Sequence, residues 1–151
     1  MLRTFRRDDQ AAVEALIQAG MAERWGATYD PAANPDVADM WTSYVEQGAE
    51  VVVVELDGVV VATGTLLHLA PDTVRIVRMA VHAGRRRRGL GRAVVAELLN
   101  RARRGGCSRA VVRTDTPWTD AVAMYRSCGF EVEAQDEVET DLALDLLGGR
   151  I

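Results

Sequence analysis

The feature that most constrains the fold is a basic glycine loop, Arg85-Arg86-Arg87-Arg88-Gly89-Leu90-Gly91-Arg92, set between two kinds of regular structure. Thr73–His82, before the loop, has the composition of a strand. From Gly89 to Arg104 apolar residues recur at helical spacing, and Arg109–Thr114 again has strand composition. This order of strand, basic loop, helix and strand predicts an α/β or α+β domain with a mixed sheet.

The segments on either side of this unit continue the mixed pattern. Asp57-Gly58 is a strong signal for a two-residue hairpin and Pro71-Asp72 is a second turn, so a β-meander precedes the loop. No repeat, linker or low-complexity segment divides the chain, and residues 1–151 are predicted to form one domain. The other predicted elements are strands over Leu2–Arg6, Glu50–Leu56, Val59–Leu69, Phe130–Ala134 and Val138–Leu146, and helices from Asp8 or Asp9 through Met21, over Asp36–Gln47, and from Thr119 or Asp120 through Tyr125.

The loop places glycines and arginines where a helix begins, and this arrangement suits an anion. The first turn of a helix has N–H groups without an intrahelical partner and carries the positive end of the helix dipole. Glycines let this backbone approach a phosphate closely, and guanidinium groups add charge-assisted contacts. Two known phosphate loops do not fit, because no Gly-Lys-Ser/Thr follows and Val94 stands where a dinucleotide fingerprint has its third glycine. A solvated charged face is the competing interpretation.

Charge is distributed unevenly along the chain. Residues 73–130 hold thirteen arginines and three acidic residues, whereas the flanking segments are acidic and the whole chain has a net charge of −4. The basic segment would suit either a nucleic acid or a small phosphorylated cofactor. An acidic chain repels a long polyanion, and the basic block lacks interleaved aromatic residues that stack on bases. These features favour a compact anion.

Two motifs, read together, indicate a family. The first, Arg86-x-x-Gly89-x-Gly91, follows the strand Val77–Val81 and precedes an amphipathic helix. The second, over residues 121–130, has the pattern A-x-x-x-Y-x-x-x-G-F with Tyr125 as its tyrosine. In this order the motifs resemble those of the GNAT superfamily of N-acetyltransferases, and the order of elements over nearly the whole chain fits the same superfamily.

The resemblance implies a GNAT-like acyl-CoA N-acyltransferase fold with acetyl-CoA as co-substrate and no metal. In that fold the two strands around the loop helix separate, and the pantetheine arm of CoA lies in the gap. The backbone of Met79, Ala80 and Val81 is then expected to pair with pantetheine. The pyrophosphate is expected at the loop, whose implied cofactor-binding residues are Arg86, Arg87, Arg88, Gly89, Leu90, Gly91 and Arg92.

The acceptor side carries three further predictions. Tyr125 is the implied general acid, which protonates the departing thiolate when the acyl group passes directly to the amine of a small molecule. Arg78 is expected to pair with a substrate carboxylate, so that amino acids or related acids are acceptors, although an ion pair with a neighbouring acid is the competing interpretation. Trp118 stands where the family often has Asn and is expected to line the acceptor pocket. The general base stays open among Glu55, His68, His82, Asp115 and a route through water.

Two other functions compete with N-acetyltransferase activity. A non-catalytic or regulatory CoA-binding domain is one, because the strand Thr73–His82 has no acid where many GNAT members carry their base. A nucleic-acid-binding protein that uses the arginine run is the other. It predicts binding with a steep salt dependence and no effect of acetyl-CoA.

The remaining expectations concern surroundings and assembly. Cys107 and Cys128 make no disulfide framework, and no Cys/His cluster has metal-ligand spacing. No apolar stretch is long enough for a membrane span and no export signal is evident, so a cytoplasmic protein with free thiols is expected. The resemblance also implies that a homodimer would not be unusual.

Overall fold

One seven-stranded sheet organises the protein in this computed structural model, which describes residues 1–26 and 29–147. The strands are β1 (Leu2–Thr4), β2 (Glu50–Leu56), β3 (Val59–Ala70), β4 (Thr73–Val81), β5 (Arg109–Asp115), β6 (Glu131–Gln135) and β7 (Glu139–Asp145). They lie in the order β1-β2-β3-β4-β5-β7-β6. Neighbouring strands are antiparallel except β4 and β5, which are parallel. The predicted mixed sheet is confirmed.

Helices cover both faces of this sheet. They are α1 (Gln10–Trp25), α2 (Leu90–Arg104) and α3 (Thr119–Ser127). α2 packs on the face that carries Val52 and Val54, and α1 packs on the face that carries Val51 and Val53. Successive side chains of a strand point to opposite faces, so the valine run of β2 is buried on both sides. Within the described ranges no helix is both long and apolar enough to span a membrane.

The hairpin between β2 and β3 has the turn that its sequence predicts. Asp57 and Gly58 have φ values of 51° and 78°, and Leu56 pairs with Val59 across them. Two successive residues with positive φ are typical of a type I′ turn, which matches the twist of the strands it joins.

The segment Asp36–Gln47, predicted as a helix, is not a regular α-helix. The structure has a 3-10 turn over Pro35–Asp39 and a π-helical turn over Trp41–Val45. The Gln10 side chain of α1 donates a hydrogen bond to the Val37 carbonyl and accepts one from the Met40 N–H. A regular α-helix would use both backbone groups internally, so the long-range contact with Gln10 changes the winding of this segment.

β4 and β5 pair only over their first halves. Their parallel register ends where Ile76 lies opposite Val112. β4 continues to Val81 and β5 to Asp115, so the two strands separate and a cleft opens between them.

A β-bulge in β4 lies beside this cleft. The register with β3 slips by one residue, so Arg78 and Met79 together oppose Gly64. Arg78 has φ 53°, in the left-handed region that residues other than glycine rarely adopt. A bulge bends a strand and increases its twist. It therefore helps to turn the second half of β4 away from β5.

Candidate active site

The cleft between β4 and β5 opens into a cavity of about 990 Å³. Its walls come from β4, the basic loop, the first turn of α2, the end of β5, α3 and the C-terminal half of α1. Arg88 is exposed and does not line the cavity. The other predicted site residues all line it: Arg78, Met79, Ala80, Val81, Arg86, Arg87, Gly89, Leu90, Gly91, Arg92, Trp118 and Tyr125.

The edge of β4 that faces the cleft has backbone groups without a strand partner in the described part of the chain. On the opposite edge Ala80 and Val81 pair with Thr63 and Ala62 of β3. On the cleft edge the pairing with β5 has already ended. An extended ligand with amide groups can hydrogen-bond such an edge as an added strand does.

α2 begins at the cleft with free backbone donors. Gly89 precedes the helix with φ 78°, and no side chain of the described residues caps the first turn. The first-turn N–H groups and the positive end of the helix dipole are therefore available to an anion. Gly91 faces the end of β4 across the cleft. A Cβ added at Gly91 would lie 3.7 Å from Cγ2 of Val81, so a larger side chain at this position would narrow the cleft.

Arg86, one of the predicted phosphate contacts, forms an ion pair with Glu23 near the end of α1. The hydrogen bond from Arg86 holds the pKa of the Glu23 carboxyl below its usual range. Both side chains are substantially exposed, at 40% and 52% of their area, so this pair contributes little to stability. An anion at the loop would compete with Glu23 for the Arg86 guanidinium.

Tyr125 is buried, with 5% of its surface exposed. Its ring packs edge-on against Phe130, with 5.8 Å between the ring centres. The hydroxyl forms no hydrogen bond with the described residues, although the side chain lines the cavity. Burial, with a smaller effect of Cys128, holds the pKa of Tyr125 above its usual value, so the hydroxyl keeps its proton at neutral pH.

Arg78 already has a carboxylate partner inside the protein. Its Nε and Nη2 atoms donate hydrogen bonds to the two oxygens of Asp36, each at 2.9 Å, and the Tyr44 hydroxyl donates to the same carboxylate. Burial alone would raise the pKa of Asp36, but the hydrogen bonds from Tyr44 and Arg78 lower it below its usual range. Asp36 thus occupies the planar fork that the predicted substrate carboxylate would use, and a role of Arg78 toward a substrate stays a prediction. The competing interpretation, an internal ion pair, describes its contacts.

Trp118 belongs to a cluster that joins the start of α3 to the end of α1. Its ring lies edge-on to Trp25, with 5.8 Å between ring centres, and the Arg24 guanidinium lies 4.7 Å from the centre of the Trp118 ring. Arg24 also donates two hydrogen bonds to Asp120, at 2.7 and 2.8 Å. Trp118 thus forms part of an aromatic wall of the cavity.

The sequence matches the Acetyltransferase (GNAT) family over residues 11–130, which is most of the chain. This chain belongs to the GNAT family of acetyltransferases. The structure places residues of both motifs at one cavity.

Two curated relatives of this GNAT chain are named as uncharacterized N-acetyltransferases. YjgM of Escherichia coli is 27% identical over 137 residues, which are 87% of this chain and 81% of that protein. YvbK of Bacillus subtilis is 32% identical over 82 residues, which are 54% of this chain and 50% of that protein. The match therefore spans about half the length of the Bacillus protein.

Solved structures show the same fold. A GNAT-family acetyltransferase from Staphylococcus aureus superposes with a TM-score of 0.86 at 14% identity, over 97% of this chain and 98% of that chain. YncA from Salmonella typhimurium, whose structure includes acetyl-CoA, superposes with a TM-score of 0.76 at 22% identity, over 97% of this chain and 93% of that chain. The GNAT fold predicted from the two motifs is confirmed.

The four candidate bases of this GNAT chain are not equivalent. Asp115, at the end of β5, lines the cavity, and the other three do not. Those three have partners elsewhere: Glu55 accepts hydrogen bonds from Arg3, His68 lies 3.4 Å from Glu50, and His82 accepts a hydrogen bond from the Gly84 N–H.

Sequence reasoning missed two arginines of the cavity wall. Arg24 reaches it from α1, and Arg75 reaches it from the first half of β4. No local motif marks Arg24, because its contacts with α3 depend on how distant elements pack. Arg75 had one signal: it is an arginine in a strand otherwise rich in Val and Ile.

Proposed function

We propose that this GNAT chain transfers an acetyl group from acetyl-CoA to the amine of a small molecule. The observation that carries the proposal is a single cavity that brings together the unpaired edge of β4, the N-terminus of α2 and Tyr125. These features suit, in turn, an amide-containing arm, a pyrophosphate and a thiolate leaving group. The presence of acetyl-CoA in the structure of YncA, which has the same fold, supports CoA as the ligand.

The co-substrate would lie along the cleft from the basic loop toward Tyr125. The first-turn N–H groups of α2 would hold the pyrophosphate, and Arg87 and Arg92 in the cavity wall would add positive charge. The backbone of Met79, Ala80 and Val81 would pair with the pantetheine amides. Arg86 would join the phosphate site after it leaves Glu23.

The transfer would be direct, without an acyl-enzyme. The acceptor nitrogen attacks the thioester carbonyl carbon, the C–N bond forms and the C–S bond breaks. The sulfur takes the proton of the Tyr125 hydroxyl, and the amine loses a proton to water or to Asp115, the candidate base in the wall. Solvent then returns a proton to Tyr125. Holding amine and thioester in one cleft supplies a large part of the rate acceleration.

Tyr125 suits the acid role for two physical reasons. Its hydroxyl carries a proton at neutral pH, as an ordinary tyrosine does, and the burial that raises its pKa preserves that state. Its hydroxyl has no hydrogen-bond partner among the described residues, so a departing sulfur would not have to displace an internal contact. The edge-on packing against Phe130 fixes the ring in place.

The test of cofactor binding compares thermal unfolding with and without acetyl-CoA. Ligand at about 100 times Kd stabilises the folded state by about 2.7 kcal/mol, which raises Tm by several degrees. Gly89→Asp places a negative charge at the N-terminus of α2, and Gly89→Asn is its neutral match. Both variants should fold, because a Cβ at Gly89 meets no atom within 4 Å and both residues tolerate left-handed backbone.

We expect Gly89→Asp to lose the shift and Gly89→Asn to retain part of it. No shift in the wild-type protein, or a full shift in Gly89→Asp, contradicts CoA binding at the loop. Binding of nucleic acid with a steep salt dependence and no effect of acetyl-CoA would point to the nucleic-acid alternative instead.

The test of catalysis is Tyr125→Phe, which removes one hydroxyl and keeps the ring. We expect kcat for thiol release with an amine to fall on the order of 100- to 10,000-fold, the usual range for a general acid. The acetyl-CoA thermal shift should stay as in the wild type. An unchanged kcat would remove Tyr125 from the mechanism, and a shift without thiol release on any amine would indicate a non-catalytic CoA-binding domain.

A further inference from the structure

Four of the arginines that line the cavity lie outside the basic loop, and Arg75 differs from the other three. Each of the three donates hydrogen bonds to an internal carboxylate, whereas Arg75 forms no ion pair or hydrogen bond with the described residues. The three internal pairs are Arg24 with Asp120, Arg78 with Asp36, and Arg113 with Asp141.

Arg75 lies in the middle of the sheet between apolar neighbours. Its partners in register are Leu67 on β3 and Val111 on β5. The Nε atom is buried and has no hydrogen-bond partner. Asp141 interacts with Arg75 electrostatically, beyond ion-pair distance, and its carboxylate already accepts a hydrogen bond from Arg113. The guanidinium thus lines the cavity without an internal hydrogen-bond or ion-pair partner among the described residues, and its Nη atoms, unlike Nε, are not buried.

A carboxylate is the ligand whose charge and geometry fit a guanidinium group that has no internal partner. The planar fork of arginine presents parallel N–H groups that fit the two oxygens of a carboxylate, and such charge-assisted pairs are among the stronger hydrogen bonds. We propose that Arg75 binds the carboxylate of the acceptor, so that the acceptor is an amine that also carries a carboxylate. This inference rests on the proposed N-acetyltransferase function and assigns its substrate class.

The position of Arg75 separates this site from the phosphates of CoA. Arg75 stands at the vertex of the cleft, one residue before the pairing of β4 with β5 ends at Ile76. The phosphate-binding loop begins beyond Val81, at the wide end, and six residues of extended strand span about 20 Å. An anion at Arg75 therefore belongs to the acceptor and not to the pyrophosphate.

The test uses matched acceptors that differ only in the anion. The panel consists of amino acids and their carboxamides, with β-alanine, 4-aminobutyrate and their amides to vary the spacing of amine and carboxylate. Thiol release gives kcat/KM for each member. We expect the wild-type protein to prefer one acid over its own amide on the order of 10- to 100-fold, the effect of one hydrogen-bonded charge pair.

Arg75→Met keeps most of the side-chain length and removes the charge, and Arg75→Lys keeps a charge without the fork. We expect Arg75→Met to abolish the preference for the acid while kcat/KM for the amide stays within about threefold, well below the tenfold effect of a charge pair. Arg75→Lys should retain part of the preference. Arg109→Met is the matched control, because Arg109 lies on β5 outside the cavity and pairs with Glu133. It should behave as the wild type.

Failure of this inference is distinguishable from failure of the proposed function. Acetylation of amides and acids with equal efficiency, or equal losses on both in Arg75→Met, overturns the carboxylate site and leaves the acetyltransferase activity standing. Calorimetry of the same acids with CoA-loaded protein needs no turnover. Binding that is unchanged by Arg75→Met, or no binding of any acid, overturns the inference even if no amine is acetylated.

Discussion

Replacing Gly64 with alanine would put a methyl group into the contact between β3 and α2. A Cβ built at this position would lie 2.5 Å from Sδ of Met79, 2.6 Å from Cγ1 of Val94 and 3.1 Å from Cδ1 of Leu98. Favourable contacts between carbon atoms occur at about 3.5–4.0 Å, so the neighbours would have to move by roughly an ångström. The Met79 side chain is flexible, whereas Val94 is β-branched and held on a helix.

The size of the effect follows from two opposing terms. Overpacking a well-filled core costs about 1–3 kcal/mol. The loss of a glycine makes the unfolded chain less flexible and returns about 0.4–1 kcal/mol. We expect a net loss of about 1–2 kcal/mol in the free energy of unfolding, which lowers Tm by about 2–8 °C in a domain of this size.

The change should also weaken acetyl-CoA binding, because Met79 moves and Met79 lines the cleft. Thermal unfolding gives the stability change, and calorimetry gives Kd for acetyl-CoA. Gly20→Ala is the matched control: Gly20 lies inside α1, and a Cβ there meets nothing within 4 Å. We expect this control to be stabilised by about 0.5–1 kcal/mol.

The refuting result is specific. If Gly64→Ala has the Tm and Kd of the wild type while Gly20→Ala is stabilised, then α2 and Met79 do not pack on Gly64 as described. A loss of stability without a change in Kd would separate the packing of α2 from the shape of the cleft, and would refute the coupling between them.

Two further predictions concern ion pairs. Glu23→Gln should lower the Kd for acetyl-CoA by up to about fivefold at low salt, because Arg86 becomes free to bind phosphate and an exposed ion pair contributes about 0.2–1 kcal/mol. Calorimetry measures this Kd, and an unchanged value would mean that Arg86 does not contact the ligand. Asp9 is buried and accepts two hydrogen bonds from Arg3, at 2.8 and 2.9 Å, which lower its pKa. Its stabilisation is therefore present above its unfolded pKa of 3.8 and lost as the pH falls through the lower folded value. Asp9→Asn should lower the free energy of unfolding by about 1–3 kcal/mol at pH 7 and make its decrease below pH 3.8 less steep, as measured by urea unfolding across pH. An equally steep decrease in the variant would assign the acid sensitivity to another group.

Local sequence determined most of the elements and the centre of the site. The Asp57-Gly58 turn and the apolar spacing of α2 depend on neighbours within a few residues, and both predictions are confirmed. The two motifs were sufficient to place the loop and Tyr125 at one cavity, because the family fold brings them together.

Contacts between distant segments were not predictable in the same way. Arg78 meets Asp36 across 42 positions and Arg86 meets Glu23 across 63. Nothing near either arginine in the sequence identifies its partner. The failure of the helix over Asp36–Gln47 has the same origin, because its winding depends on a glutamine in another element.

The separation of β4 from β5 has a mechanical consequence. The strands β1 to β4 and the strands β5 to β7 are joined by the backbone pairing of the first halves of β4 and β5, which runs from Thr73 with Arg109 to Ile76 with Val112. Under the proposed function, an extended arm of the co-substrate bonded to β4 would fill the gap like an eighth strand. Binding of the co-substrate would then reduce the motion of strands β1 to β4 relative to strands β5 to β7. It would also slow amide hydrogen exchange at Met79–Val81. The bound co-substrate would thus hold the two parts of the sheet together as well as donate the acyl group.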